Sequence, residues 1–212
     1  MARTRIKICG IRDEIGLQAA VSAGADAVGF VFVPGSPRYV EPVEAWALVS
    51  ALPPFVTSVG VFCDIDVDEF CEIEEVCPTG LSQLQGMEPE HVVQACGPGV
   101  LKTVRYDART IDAELTRWSR VDEVDAIVVE VFQGEHGEAD GWRGLRLALD
   151  RLALNKPIVL AGGLDAGNVA EAIRIVYPYG VEVSIGSEDE TASTASELIE
   201  AFCAAVRKVD AG

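Results

Sequence analysis

Short apolar runs alternate with longer amphipathic stretches along the whole chain. Eight runs read as strands: RIKIC (5–9), DAVGFVF (26–32), SVGVF (58–62), LSQL (81–84), VLKTV (100–104), DAIVVEV (125–131), PIVLA (157–161) and VEVSI (181–185). They are rich in Val, Ile and Phe, as strands buried on both faces are. Helical spacing is predicted over 12–23, 42–51, 66–77, 89–96, 111–119, 142–154, 166–177 and 194–207. The first of these puts Ile15, Ala19 and Ala20 on one stripe and stops at Gly24. The second carries Pro42 at an early position, where proline is tolerated.

Strict alternation of strand and helix predicts a parallel sheet, and eight such units predict closure into a (β/α)8 barrel. The competing doubly wound open sheet more often shows a GxGxxG turn after its first strand, and this chain has none. With no linker or low-complexity segment, residues 1–212 read as a single barrel domain.

Charge narrows the partners. The net charge of -17 argues against nucleic acid and anionic membrane surfaces. It leaves room for an anionic small molecule held in a locally positive pocket. The six cysteines form no CxxC pair, and the two histidines lie away from them, so no metal site is expected. No secretory signal or membrane-length apolar run is seen, and free thiols fit a reducing cytoplasm.

In barrels of this kind the working groups sit at the C-terminal ends of strands. That places Cys9, Arg38, Gln83, Gln85, Glu130, Gly162, Gly163, Ser184 and Gly186 at the working face. LAGGLDAGN and VSIGSE both run from a strand through glycine. Backbone amides there, with the positive end of the following helix, suit a phosphate at Gly162, Gly163, Ser184 and Gly186. The plainer reading is a pair of tight turns.

Residues two apart in a strand share a face, so Lys7 and Cys9 look the same way. A nearby ammonium favours a thiolate, and the pair reads as a base charged at neutral pH or as a buried structural cysteine. Glu130 interrupts the aliphatic run IVVEVF. It reads either as an acid kept protonated by burial or as the partner of Lys102. Glu182 is placed to pair with Lys7. Arg38, in PGSPRY, offers a fork for a carboxylate or is a surface charge. His136 reads as solvated.

The stretch KICGIRDEIGLQAAVSAGADAVGFVFVPGSPRYV resembles the start of phosphoribosylanthranilate isomerase, of the tryptophan pathway. LPPFVTSVGVF, QLQGMEP and LAGGLDAGNV resemble its later signatures, in order and over nearly the whole chain. The resemblance implies a (β/α)8 barrel with no cofactor and no metal. It implies an Amadori rearrangement of N-(5'-phosphoribosyl)anthranilate to 1-(2-carboxyphenylamino)-1-deoxyribulose 5-phosphate, the third step from chorismate to tryptophan. By it Cys9 is the general base and Glu130 holds the place of the acid. Lys7, Arg38 and Gln83 are the candidate substrate-binding residues, with Arg38 facing the anthranilate carboxylate. The working unit is expected to be a monomer or weak homodimer.

Four features depart from the family pattern. Glu130 replaces aspartate, and Gln85 stands for the histidine of QLHG. FQGEHGEADGW is a shortened loop, and Ile185 and Ser187 alter VSSGVE. The alternative expectation is a non-catalytic or weakly active barrel that binds a phosphorylated small molecule. A related isomerase type acting on another sugar phosphate uses a strand-one aspartate, where this chain has Cys9.

Overall fold

Parallel β-pairing runs from each strand to the next and from the last back to the first, closing the sheet. The computed structural model describes residues 3–132, 138–185 and 192–211. The strands are β1 (Arg5–Cys9), β2 (Ala27–Val31), β3 (Thr57–Phe62), β4 (Leu81–Leu84), β5 (Val100–Arg105), β6 (Val124–Glu130), β7 (Ile158–Ala161) and β8 (Gly180–Ser184). The helices that follow them are α1 (Glu14–Ser22), α2 (Pro42–Ser50), α3 (Val67–Val76), α4 (Glu90–Ala95), α5 (Ile111–Ser119), α6 (Glu138–Leu152), α7 (Val169–Val176) and α8 (Ala192–Asp210). This is the (β/α)8 barrel that the alternating pattern predicts.

Each strand has two apolar faces, which make two separate layers. Outward residues such as Ile6, Ile8, Phe30 and Leu160 pack under the helices with Trp118, Trp142 and Phe202. Inward residues, among them Cys9, Val31, Val61, Leu101, Val128 and Ala161, fill the barrel. Side-chain alternation therefore decides which groups reach the mouth.

Local chemistry sets the helix ends. Asp13 caps α1 by accepting from the Gly16 N–H at 2.7 Å, and Asp66 caps α3 from the Glu69 N–H at 2.9 Å. Pro42 opens α2, and Gly24, at φ +82, ends α1. The predicted stripe of α1 is corrected in one place: Ile15 is 58 % exposed, and Leu17 joins Ala19 and Ala20 inside. The α6 helix begins four residues earlier than predicted, with Gly141 and Gly144 in its first turns. Glycine is a poor helix former, but here its missing Cβ makes room for Val131 and Tyr106.

Candidate active site

The β1 strand delivers two polar groups to the barrel interior. Ile6 and Ile8 belong to the outer layer, so Lys7 and Cys9 point inward. Cys9 lies in register with Gly29 on β2 and Ser184 on β8. A Cβ on Gly29 would come 2.8 Å from the Cys9 Sγ and 3.1 Å from the Lys7 Nζ. Thiol and ammonium thus share the space that a side chain at residue 29 would fill. Just past Cys9, Gly10 takes φ +91, and a side chain there would meet the Ile185 carbonyl and, at 2.7 Å, Arg38 Cδ. The chain turns away from the thiol at Gly10 and lets Arg38 fold over the end of β1.

Lys7 is not free to serve Cys9 alone. Its Nζ lies 3.1 Å from Glu182 Oε1, and both side chains are 6 % exposed. The placement of Glu182 beside Lys7 is as the sequence predicts. Gln83 Nε2 donates to the same Oε1 at 3.4 Å from across the barrel. Burial pushes the Cys9 thiol up to about 11; Lys7 pulls it down, while Glu182 adds to the rise. Burial also works against the Lys7 ammonium, but Cys9 and Glu182 outweigh it and hold Lys7 above its ordinary range. Of the two readings of the Lys7–Cys9 pair, these directions favour a neutral buried thiol over a thiolate at neutral pH. The thiol is desolvated, and the Lys7 ammonium beside it already faces the Glu182 carboxyl.

Across the mouth, Glu130 ends β6. Ala126 and Val128 face inward on that strand and Ile127 and Val129 outward, so Glu130 faces inward as well. It is half-buried and lies in register with Arg105 and Ala161. Burial raises its pKa and Glu182 raises it further, against Arg105 and Lys7. The reading of Glu130 as a partner of Lys102 is excluded by direction, because Lys102 points into the outer layer. There Lys102 donates to Glu88 Oε2 at 2.9 Å and to the carbonyls of Leu84, Gly86 and Thr103.

The remaining candidates divide. Arg38 stands half-exposed over Gly10, and its Nε is buried with no partner among the described residues. Its loop is pinned by the Arg12 Nη1 donating to the Pro37 carbonyl at 2.7 Å. Gln83 is only 1 % exposed and lies in the interior beside Glu182, below the rim. Gln85 is exposed. Gly162 and Gly163 take φ +88 and +64 at the exit of β7, where Gly162 lies against the Val131 backbone. Ser184 is exposed at the end of β8. Gly186, Ser187 and His136 lie outside the described residues.

The predicted start of the helix behind the Gly162–Gly163 turn is corrected. The α7 helix begins at Val169, three residues later than predicted. Asp165 Oδ1 accepts from the N–H groups of Gly167 and Asn168 at 2.7 and 2.9 Å, so these amides already have an acceptor.

Two features carry the site without having been singled out in the sequence. Gly29 and Gly10 make the space around Cys9. Gly29 did leave a signal, a glycine inside an otherwise aliphatic strand. The Glu88–Lys102 pair, 1 % and 3 % exposed, ties the rim loops together: Glu88 Oε1 accepts from the Asp64 and Gly86 N–H groups at 2.9 and 3.0 Å. Among the described residues no group of three His, Cys, Asp or Glu is set to hold a metal, and no helix is long and apolar enough to cross a membrane.

The arrangement offers a buried thiol and a half-buried carboxyl at one barrel mouth, an arginine over the rim and a glycine turn beside it. Residues 6–205 match the model of the N-(5'phosphoribosyl)anthranilate (PRA) isomerase family. The chain is 40% identical over 211 residues to the N-(5'-phosphoribosyl)anthranilate isomerase of Pseudomonas putida F1, covering 98% of this chain and 100% of that one. It is 36% identical over 205 residues to the enzyme of the same name from Hahella chejuensis, covering 94% and 92%. A crystal structure of phosphoribosyl anthranilate isomerase, in complex with reduced 1-(o-carboxyphenylamino)-1-deoxyribulose 5-phosphate, superposes with a TM-score of 0.82. It is 31% identical and covers 97% of this chain and 99% of that chain.

Proposed function

The chain belongs to the N-(5'-phosphoribosyl)anthranilate isomerase family, and on that premise we infer how its barrel carries the reaction. The protein isomerises N-(5'-phosphoribosyl)anthranilate to 1-(2-carboxyphenylamino)-1-deoxyribulose 5-phosphate. Glu130, whose pKa is raised by burial and by Glu182, gives its proton to the ribose ring oxygen. The bond from that oxygen to C1' breaks, and the nitrogen lone pair closes a C1'–N iminium.

Cys9 then takes the proton from C2'. The iminium withdraws electrons from C2', so one modest base suffices. The resting thiol must first lose its own proton to solvent at the barrel mouth. The iminium helps, because it sets a second positive charge beside Lys7 and favours the thiolate. The enolamine that forms tautomerises, with a proton added at C1' and the C2' hydroxyl becoming the ketone. Hydrogen moves within one molecule, C1' being reduced and C2' oxidised. We class the reaction as an intramolecular oxidoreduction of the aldose–ketose kind.

Arg38 takes the anthranilate carboxylate as a fork. Gly162, Gly163, Ser184 and Gly186 take the phosphate. We read residues 1–212 as one domain, acting in the cytoplasm as a monomer or weak homodimer. The observation that supports these roles is the inward aim of Cys9 and Glu130 from the C-terminal rims of β1 and β6.

The test pairs rescue of a tryptophan auxotroph lacking this step with the fluorescence decay of phosphoribosylanthranilate on purified protein. Rescue, with turnover lost in Cys9→Ala, is expected. No turnover by the wild type, or a Cys9→Ala variant equal to it, overturns the assignment.

A further inference from the structure

The Lys7 ammonium is shared between two groups that compete for it. It lies 3.1 Å from Glu182 Oε1. It also borders the same small space as the Cys9 thiol, 3.1 Å and 2.8 Å respectively from the point where a Gly29 Cβ would be. Register fixes this triangle: Lys7 pairs with Glu182 and Cys9 with Ser184 between β1 and β8. Among the described residues, the other charged groups at the mouth are Glu130 on β6, Arg105 beside it on β5, and Arg38 over Gly10. From β2, β3 and β7 come Gly29, Val61 and Ala161, which carry no charge; β4 supplies the neutral Gln83.

In a buried cluster one cation neutralises one anion. The Lys7 ammonium is within ion-pair distance of the Glu182 carboxyl but only borders the thiol across their shared space, so Glu182 takes the partnership. Glu182 Oε2 and Gln83 Oε1 are buried with no hydrogen-bond partner among the described residues. One carboxylate oxygen thus meets Lys7 as an ion pair and accepts from Gln83; Glu182 lies two residues deeper on β8 than Ser184, the register partner of Cys9.

We propose that Glu182 is a positioning residue for the base: it holds the Lys7 ammonium and thereby sets the protonation state of Cys9. This rests on the assignment of Cys9 as base. Removing the Glu182 charge releases Lys7 to the thiol and favours the thiolate. Removing the Lys7 charge leaves the thiol facing an anion and favours the neutral form. The two substitutions act in opposite directions on one sulfur, which loss of packing would not produce.

The experiment is alkylation of the full-length protein by iodoacetamide at a fixed pH near 8, with each cysteine followed by peptide mass spectrometry. Exposed Cys71 normalises the rates, and buried Cys77, Cys96 and Cys203 report any general loosening. Glu182→Gln is expected to speed Cys9 alkylation about tenfold, the change in thiolate fraction for one pH unit. Lys7→Gln is expected to slow it, and Glu182→Asp, which keeps the charge, to stay within about threefold of wild type. Cys9 unchanged in Glu182→Gln, rising only together with the three buried thiols, or moving the same way in Glu182→Gln and Lys7→Gln overturns the proposal. The readout needs no turnover. A wild type that fails to isomerise phosphoribosylanthranilate defeats the assigned reaction and leaves the alkylation result standing on its own.

Discussion

Gly29 on β2 stands in register with Cys9 on β1, and the absence of a side chain at Gly29 makes the space the thiol occupies. A methyl group there would lie 2.8 Å from Sγ and 3.3 Å from the Cys9 Cα. The Lys7 end can swing aside, but the Cα belongs to a strand bonded on both edges. Gly29→Ala is therefore expected to cost about 1–3 kcal/mol of stability, the usual range for overpacking. It should also lower kcat by displacing the thiol. Urea denaturation and steady-state kinetics on the same preparation check both effects.

Burial and Glu182 raise the pKa of Glu130 against Arg105 and Lys7. Glu130→Gln keeps the shape and cannot give a proton, so kcat should fall by roughly 10²–10⁴. Stability should hold or rise, because a partly desolvated acid is exchanged for a neutral amide. For the wild type, kcat should fall on the alkaline side as Glu130 deprotonates, at a pH above the usual carboxylate range. A pH series of kcat checks this, with Glu130→Gln expected to lose that limb.

Arg38 folds its stem over Gly10 and leaves its Nε buried without a partner among the described residues. A bound carboxylate would supply the acceptor. Arg38→Lys keeps the charge and loses the planar fork, so KM should rise about tenfold, roughly 1.4 kcal/mol, with a smaller change in kcat. Initial rates over a substrate series distinguish this from a general loss of activity.

The Glu88–Lys102 pair is 1 % and 3 % exposed and joins the β3, β4 and β5 exits. Breaking it from one side strands a buried charge, and Lys102→Met should cost about 3–5 kcal/mol. Replacing both partners by apolar residues should recover part of that loss. Equilibrium unfolding of the single and double variants measures the difference.

Burial raises four thiols, Cys9, Cys77, Cys96 and Cys203, from 9.0 to about 11. A group whose folded pKa is raised stabilises the fold below its unfolded pKa, and that contribution is lost as pH rises through the folded value. Stability should therefore be level below pH 9 on this account and fall between about 9 and 11. The slope approaches about 1.4 kcal/mol per pH unit for each thiol. Unfolding midpoints across that range, repeated with Cys203→Ala, check the direction and the share of one thiol.

The barrel was readable in the sequence because its strands are buried on both faces and so appear as unbroken aliphatic runs. The strand borders fall within one residue of those predicted. Helix starts were less readable. Gly141 and Gly144 hide the first turns of α6, and the Asp165–Asn168 turn delays α7. In the site, Cys9 and Glu130 were legible as polar groups at strand ends. The charge on Cys9 was not, because it depends on desolvation and on Glu182, which the fold brings from the last strand to the first. Strand period also gave the Lys7–Cys9 face correctly but carried no measure of which anion the ammonium would serve.

The central claim is that a thiol and a carboxylic acid act on one sugar from opposite sides. A crystal structure with the reduced product analogue bound tests it most directly. The account predicts Cys9 Sγ against C2' on one side and the Glu130 carboxyl within hydrogen-bonding reach of the former ring oxygen on the other. Both groups on the same side, or either turned away from the sugar, would contradict it.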